Sequence, residues 1–301
     1  MAKFLICTIS AIGHVSPALP IARELVDRLA EIVTWNPDDP DSVRAAAQDI
    51  ETIVYTLGVP YMDFQLHPIL MRKTLAGAIA AGVKQLLLIG TIYPCGRPQT
   101  DLMREDHPRE PHTVKGQMRK EQEDVLLEAD AAGSIRGAIL RLPDFYGPNV
   151  ERSLLHSAFQ AAVNGKQAQL IGPIDTNHEF MFVLDVGAVV LAMVNEPRPF
   201  GRIWHFGGAG TITQREFVGR IFAAVNQKPR FIVANKLMLQ ALGLFDPFMR
   251  ELVKMHYLWT TPTFLDDTAL HQLLGTIHKT SYDRGIELTL AASRLPAIAT
   301  R

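Results

Sequence analysis

Three side chains whose types and spacing could support proton transfer lie between residues 86 and 119. The apolar run at residues 86–89 is bounded by a glycine and predicts a buried strand. This strand would deliver the hydroxyl of Thr91 to its carboxyl end, where open α/β sheets place their chemistry. A loop with four prolines then leads to a predicted helix that carries Lys115 and Arg119 one turn apart. Thr91, Lys115 and Arg119 are therefore candidate catalytic residues.

The chemistry of this site depends on the helix. Lys115 could serve as a general acid or base only if it can lose its proton, and both burial and the like charge of Arg119 favour that loss. Arg119 cannot lose a proton and would only donate hydrogen bonds. The alternative is a solvated helix face that makes surface ion pairs only, formed by Lys115, Arg119, Lys120, Glu121 and Glu123. A different acid could also take over, and the candidates are Tyr93, Tyr146 and Asp144.

Alternating strands and helices must position these residues. The hydrophobic patterns predict strands at 3–9, 31–35, 52–57 and 84–89, and helices at 16–29, 41–47 and 70–82. This alternation implies an α/β fold with a doubly wound parallel sheet. After Tyr146 the pattern changes, which predicts a smaller C-terminal part. There, Asp185 is expected to cap a helix that runs to residue 194, and Thr213 a helix at 214–225.

Composition excludes several classes of function. The chain has 301 residues, of which 48% are hydrophobic and 20% charged, and its formal net charge is -1. Without a Lys/Arg-dense run, nucleic acid is not expected as a partner. No apolar run reaches the roughly 18 residues of a membrane span, and no secretory signal is recognisable, so we expect a cytoplasmic protein without a membrane partner. Cys7, Cys95 and the scattered histidines have no metal-ligand spacing, so no metal site is predicted.

The order of these parts resembles the extended short-chain dehydrogenase/reductases of the NAD-dependent epimerase/dehydratase type. The resemblance spans roughly residues 32–290 and consists of blocks that follow the family order at 35–43, 56–58, 82–96, 105–108, 141–148 and 182–186. It implies a Rossmann-type dinucleotide-binding domain at 1–165 and a mainly substrate-binding part at 166–301, with segments around 180–206 returning to the main sheet. It also implies NAD or NADP as cofactor and redox, epimerase or dehydratase chemistry on a small carbonyl or sugar-like substrate.

Matching positions carry the family's roles onto this sequence. Thr91 takes the place of the active-site Ser/Thr, whereas Lys115 and Arg119 replace the Tyr and Lys of the family's Tyr-x-x-x-Lys motif, and Asp144 replaces an Asn. The cofactor-binding residues implied by the resemblance are Ser10, Ile12, Gly13, Asp38, Leu57, Gly58 and Pro143. The substrate-binding residues implied are Tyr93, Asp144, Tyr146 and His178. Helices at 70–82 and 115–128 resemble the family's four-helix dimer surface, which implies a possible homodimer.

The N-terminus departs from the family pattern. A dinucleotide loop needs glycines so that backbone N–H groups can approach the pyrophosphate, and the loop at 8–17 has only Gly13. Residues 11–20 instead resemble the start of a GT-B glycosyltransferase, in which the His after the Gly, here His14, activates an acceptor. That resemblance covers about the first 27 residues, and a loop histidine at a helix start is the alternative. The dinucleotide site would be altered but not necessarily lost.

Three hypotheses for function follow. The first is an NAD(P)-dependent enzyme with an atypical Lys-x-x-x-Arg motif. The second is a non-catalytic relative that binds a nucleotide or metabolite as a sensor or partner protein, and the third is a glycosyltransferase. Two further regions have alternative interpretations. His178 and Glu179 belong either to a substrate-binding loop or to a surface pair. A set of apolar residues near the C-terminus forms either the wall of a pocket or part of the core. That set consists of Met249, Met255, Tyr257, Leu258 and Trp259.

Overall fold

A parallel sheet forms the centre of the computed structural model, which describes residues 4–7, 33–150, 153 and 155–293. In the described residues this sheet has the order β1 (Phe4–Cys7), β2 (Thr52–Tyr55), β3 (Gln85–Thr91), β4 (Arg136–Leu142) and β8 (Arg202–His205). All neighbouring pairs are parallel. The prediction of an α/β fold with a parallel sheet is confirmed. The predicted helix at 16–29 and the residues Ser10, Ile12, Gly13 and His14 lie outside the described residues.

Helices cover both faces of this sheet, as expected for parallel strands that are buried on both sides. On one face, α2 (Leu66–Ala80) and α3 (Val114–Ala131) bury apolar side chains against Ile53 and Leu86. On the other face, α5 (Val183–Val194) packs against Val54 and Leu87. Alternate residues of one strand thus enter opposite cores, which explains the continuous apolar run of β3.

The first described helix, α1 (Pro40–Ala46), packs closely on α2. Gly77 makes this contact possible, because a Cβ there would lie 2.4 Å from the carbonyl oxygen of Pro40 and 2.6 Å from Cβ of Val43. Asp39 accepts a hydrogen bond from Asp41 N–H and caps α1. Residues 33–36 have no regular structure, so the predicted strand at 31–35 is wrong in its described part.

Two smaller sheets build the C-terminal part. The strands β5 (Asp144–Tyr146), β7 (Asn177–Phe182) and β9 (Thr211–Thr213) form one, and β6 (Ala168–Ile171) and β10 (Phe231–Ala234) form the other. The remaining helices are α4 (His156–Val163), α6 (Gln214–Ala223), α7 (Lys236–Leu242), α8 (Pro247–Lys254), α9 (Tyr257–Thr260), α10 (Thr268–Leu274) and α11 (Tyr282–Ser293). None of the described helices is long and apolar enough to span a membrane.

Two predicted helix caps have different outcomes. Thr213 accepts a hydrogen bond from Glu216 N–H and caps α6, as predicted. The prediction that Asp185 caps α5 is wrong, because Phe182 occupies the cap position and Asp185 lies in the first turn. Its carboxylate instead accepts hydrogen bonds from the backbone and the hydroxyl of Thr280. Asp185 thereby ties α5 to the segment before α11.

Candidate functional site

The carboxyl ends of β3 and β4 meet at one edge of the main sheet. Thr91 pairs with Leu142 in the register of the two strands, so the hydroxyl-bearing residue lies beside the start of the segment Pro143–Asp144. Thr91 Oγ1 accepts a hydrogen bond of 3.3 Å from Tyr93 N–H, and a short 3₁₀ turn (Tyr93–Cys95) follows. The Thr91 hydroxyl is thus fixed at the sheet edge where parallel α/β folds bind ligands.

Helix α3 brings Lys115 and Arg119 under this edge. Thr113 caps the helix through Gly116 N–H, and Gly116 lets the helix approach the turn after β3. A Cβ on Gly116 would lie 2.8 Å from the carbonyl oxygen of Tyr93. Lys115 is 5% and Arg119 7% exposed. The alternative of a solvated helix face is therefore wrong for these two residues.

Lys115 is engaged with the C-terminal part. Its Nζ lies 2.7 Å from Oε2 of Glu251 on α8 and above the rings of Tyr61 and Phe64, at 4.3 and 5.0 Å from their centroids. Burial alone would raise the pKa of Glu251, but the hydrogen bonds from Lys115 and Lys254 outweigh it and hold that pKa below its ordinary value. The Lys115 side chain is thus engaged by a carboxylate and by two aromatic ring faces. This pairing weakens the argument for Lys115 as a base.

Arg119 occupies a different environment one turn further on. Its guanidinium is within hydrogen-bonding distance of His67 Nδ1 (3.2 Å) and donates to the carbonyl oxygen of Ile89 on β3 (3.3 Å). Burial lowers the pKa of Arg119, and Glu123 partly offsets this effect. Burial and the neighbouring Arg119 also hold the pKa of His67 well below its ordinary value, so His67 is neutral. Arg119 therefore supplies a positive charge and spare N–H groups beneath the sheet edge.

A buried ion pair fixes α3 against β4. Glu123 accepts two hydrogen bonds from Arg141, at 2.9 Å (Nε to Oε1) and 2.6 Å (Nη2 to Oε2), and both side chains are almost fully buried. Arg141 also donates to Cys95 Sγ in the turn after β3. The i, i+4 spacing of residues 115, 119 and 123 places Glu123 on the same helix face. The spacing in the sequence therefore indicates that Glu123 lies on the buried face of α3. The interpretation of Glu123 as a member of surface ion pairs is wrong.

Asp144 lies among tyrosine side chains at the start of β5. Burial raises its pKa to about 6. Tyr61, Tyr93 and Tyr257 are electrostatic neighbours, and burial followed by nearby carboxylates raises the pKa of Tyr61 and Tyr93. None of the described residues forms a side-chain hydrogen bond or ion pair with the Asp144 carboxyl. The site therefore holds a largely buried carboxyl that can change protonation near neutral pH.

A small cavity lies beside Asp144. Its volume is about 20 Å³, enough for a single water molecule. The lining residues are Ile92, Pro143, Asp144, His178, Glu179, Leu258 and Thr263. Because His178 is 6% exposed and Glu179 also lines the cavity, the surface-pair interpretation of these two residues is wrong.

The apolar residues of the 249–259 region also have a defined place. Met255, Tyr257 and Trp259 form a buried cluster whose partly buried neighbours are Tyr61, Tyr93, Ile171, Leu252 and Leu258. This cluster adjoins the cavity through Leu258 and the turn after β3 through Tyr93. The pocket-wall interpretation therefore fits better than an independent core, because the cluster contacts the side chains around Asp144.

The remaining residues of the predicted site have surroundings of their own. Tyr146 packs in the aromatic core with Phe182, Phe217 and Tyr282. Asp38 forms an exposed ion pair of 2.7 Å with Lys73. The side chain of Leu57 is part of the core beside β2, whereas Gly58 is exposed with open space around it. Sequence reasoning missed Glu251 and Tyr61, because no local pattern connects them with Lys115.

Comparison with known proteins places this geometry in a family. The sequence model of the NAD dependent epimerase/dehydratase family matches residues 25–207, which is more than half of the chain. A search of curated proteins finds no match.

Several solved structures share the fold. UDP-glucuronic acid 4-epimerase from Bacillus cereus, solved with NAD, has a TM-score of 0.76 at 14% identity, over 97% of this chain and 90% of that one. The dTDP-glucose 4,6-dehydratase DesIV from Streptomyces venezuelae has a TM-score of 0.77 at 18% identity, over 98% and 88%. RMD from Pseudomonas aeruginosa, solved with NADPH, has a TM-score of 0.78 at 14% identity, over 97% and 99%. Because the matched residues include four of the five described strands of the main sheet and the Lys-x-x-x-Arg helix, the chain belongs to the NAD-dependent epimerase/dehydratase family.

Proposed function

We propose that this protein is an NAD(P)-dependent oxidoreductase or epimerase-like enzyme that acts on a small carbonyl or sugar-like substrate. The supporting observation is the convergence of Thr91, Arg119 and Asp144 at the carboxyl edge of β3 and β4. These residues supply a hydroxyl, a buried cation and a titratable carboxyl. Family membership and the structural neighbours solved with NAD or NADPH support the choice of cofactor.

Arg119, which lies next to the carboxyl end of β3, has hydrogen-bond donors that fit part of a dinucleotide. Arg119 has five N–H groups, while its described contacts are with His67 and the carbonyl oxygen of Ile89, so donors remain for ribose hydroxyls. The resemblance implies that the lysine of the Tyr-x-x-x-Lys motif holds the nicotinamide ribose, and Arg119 would take over this role. The nicotinamide supplies hydride transfer when it is bound. The phosphate-binding loop predicted at Ser10, Ile12 and Gly13 lies outside the described residues.

Asp144 is the better candidate for proton exchange with the substrate. A general acid or base works best when its pKa is near the working pH, and burial brings the pKa of Asp144 to about 6. Lys115 is held by Glu251 and lies over two aromatic rings instead. In the proposed mechanism Thr91 orients the substrate oxygen. In this proposal Lys115 positions α8 and transfers no proton.

Titration with NAD, NADH, NADP and NADPH tests the cofactor. We expect saturable binding of at least one of them, measured by calorimetry and, for the reduced forms, also by fluorescence. Arg119→Met should weaken that binding by about tenfold or more, since each 1.4 kcal/mol lost corresponds to a factor of ten. Arg215→Met is the matched control, because Arg215 is exposed and pairs with Asp175 at the surface. Absence of binding of all four oxidised and reduced forms would contradict the proposal.

A non-catalytic relative that binds a nucleotide or metabolite is the second candidate. The observation in its favour is the ion pair between Lys115 and Glu251, which engages the position of the family's catalytic tyrosine. Turnover separates the two candidates. Under the first proposal, Lys115→Met retains activity while Asp144→Asn loses it. Under the second, NAD(P)H binds but no carbonyl substrate is reduced by any variant. The glycosyltransferase hypothesis depends on the first 27 residues and stays a prediction.

We also propose a homodimer formed by α2 and α3. The two helices pack side by side, and the exposed apolar side chains Ile69, Ile79 and Val114 lie on them. Burial of such a surface would favour association. Sedimentation or light scattering should give twice the chain mass. Ile79→Glu should shift that mass to the monomer, whereas the exposed control Ile232→Glu on β10 should not.

A further inference from the structure

An exposed apolar surface lies on the hairpin that α7 and α8 form. The two helices pack on each other and are joined by a short turn at 243–246. Leu237 on α7 is 75% exposed, and Leu244 and Phe245 in the turn are 73% and 90% exposed. We call this surface the hairpin tip, and its other exposed members are Met238, Leu242 and Phe248. A large exposed apolar surface of this kind marks an interaction site.

The free charges beside the hairpin tip are positive. Lys236 is the first residue of α7, next to Leu237, and it has no ion pair with any of the described residues. Arg250 lies against the turn, where its Nε donates a hydrogen bond of 3.0 Å to the carbonyl oxygen of Gly243. Its guanidinium has no carboxylate partner in the part of the chain that the structure describes. Each helix of the hairpin therefore carries an unpaired cation.

The two carboxylates of the hairpin are engaged within the fold. Asp246 accepts a hydrogen bond of 2.8 Å from Phe248 N–H and caps α8. Glu251 forms ion pairs with Lys115 and Lys254. Neither carboxylate is paired with the two cations at the tip, so an approaching ligand meets apolar side chains and positive charge.

Shape and charge favour an anionic lipid surface as the occupant. Phe245 protrudes from the turn, and a protruding ring needs a matching pocket in a protein partner but none in a lipid layer. A second copy of this chain fits less well. A two-fold contact between two hairpin tips would bring Lys236 and Arg250 together with the same cations of the other copy, which is unfavourable.

We propose that the hairpin tip binds the surface of a membrane that contains anionic lipids. Leu244 and Phe245 enter the lipid layer, while Lys236 and Arg250 lie at the acidic headgroups. Burial of apolar side chains and attraction of basic residues to acidic lipids are the two forces that hold proteins on such surfaces. The expectation of no membrane partner was based on the lack of an apolar span and of a secretory signal, and surface binding requires neither. This binding is independent of the proposed enzyme activity.

Co-sedimentation with vesicles tests the apolar part of the hairpin tip. We expect the protein to bind vesicles of equal parts phosphatidylserine and phosphatidylcholine, and to bind vesicles of phosphatidylcholine alone more weakly. Phe245→Ser should lower the partition coefficient by about tenfold or more, because it removes the most exposed apolar side chain of the tip. Phe245→Leu should retain most of the binding. Leu191→Ser is the matched control, since Leu191 is exposed on α5, which covers the opposite face of the main sheet from α3.

Lys236→Gln tests the contribution of charge. It should weaken binding to the phosphatidylserine vesicles by about fivefold, the factor expected for one basic residue near an anionic surface. Added salt should weaken the binding of the natural protein for the same reason. Lys84→Gln is the control, because Lys84 is exposed, pairs with Glu51 and precedes the amino end of β3. Circular dichroism confirms that each variant is folded.

Three results would overturn the proposal. The first is that the natural protein does not bind the phosphatidylserine vesicles, or that Phe245→Ser binds them as well as Leu191→Ser does. The second is equal binding to both kinds of vesicle that neither salt nor Lys236→Gln weakens. The third comes from light scattering without vesicles: a lower mass for Phe245→Ser than for the natural protein would show that another copy of the chain covers the tip.

Discussion

Replacing Glu251 by Gln should destabilise the protein more than replacing Lys115 by Met, although both changes break the same ion pair. Without Glu251, the ammonium of Lys115, which is 5% exposed, loses its carboxylate partner. Without Lys115, Glu251 keeps its ion pair of 2.6 Å with Lys254, and the Met side chain keeps apolar contact with Tyr61 and Phe64. Lys115→Met should therefore destabilise the protein less than Glu251→Gln, because Glu251 keeps a second cationic partner.

The magnitude follows from burial. Removing one partner of a buried ion pair costs about 3–5 kcal/mol. Glu251 is 15% exposed, so water reaches the pair, and we expect about 2–3 kcal/mol for Glu251→Gln. For Lys115→Met we expect about 1 kcal/mol, because a charge that keeps a partner is not stranded. Lys254→Met is the control, since Lys254 is 52% exposed and such pairs contribute about 0.2–1 kcal/mol.

Urea denaturation at neutral pH, followed by tryptophan fluorescence, measures these free energies of unfolding. Trp259 lies in the cluster next to α8 and reports on this region. The double variant Lys115→Met/Glu251→Gln should cost about as much as Lys115→Met alone, which gives a coupling of about 2 kcal/mol. Additive effects, or a larger loss from Lys115→Met than from Glu251→Gln, would refute the argument that Glu251 neutralises a buried ammonium.

Three further predictions concern the surroundings of the site. Burial raises the pKa of Asp144 from about 3.9 to about 6. The folded state therefore binds more protons than the unfolded state, and the free energy of unfolding falls as pH rises through that interval. Asp144→Asn should remove this pH dependence and raise the free energy of unfolding by about 1–3 kcal/mol at pH 8 in urea titrations. Gly116→Ala should lower the free energy of unfolding by about 1–3 kcal/mol, because its Cβ would contact the turn after β3. Gly219→Ala is the control: it lies on α6 with open space around it and should raise that free energy by about 0.5–1 kcal/mol in thermal unfolding. Glu123→Gln should cost about 3–5 kcal/mol because Arg141 is fully buried; an unchanged Tm would contradict this.

The sequence was sufficient for the parts of the fold that local patterns encode. The apolar run before Thr91 and the spacing from Lys115 to Arg119 predicted a buried strand and a helix, and both are present as β3 and α3. The sequence alone does not determine which face of α3 is buried, since charged residues on a helix normally face water. Its burial depends on partners distant in sequence. Glu251 lies 136 residues from Lys115, and no periodicity connects the two.

The same reasoning explains why site residues were harder to predict than the fold. Tyr146 was a candidate from its motif, but its ring packs with Phe217 and Tyr282 from the C-terminal part. The sequence leaves His178 open between a substrate loop and a surface pair; the structure buries it beside the cavity, and its Nε2 has no hydrogen-bonding partner among the described residues. A motif fixes the position of a residue along the chain. Tertiary packing then decides whether the side chain enters the core or a cavity.

The two replaced positions on α3 therefore have separate consequences. Arg119 packs against the main sheet, donates a hydrogen bond to the carbonyl oxygen of Ile89, and can donate further hydrogen bonds to a ligand at the strand ends. Lys115 is paired with Glu251 on α8, a helix that has no buried residue of its own among those described. Phe248 on the same helix contacts the ring of Tyr61, beside Lys115. A buried charge pair and a ring contact thus join α8 to the Rossmann-type part, so a change at position 115 should act first on how the C-terminal part is held over the site.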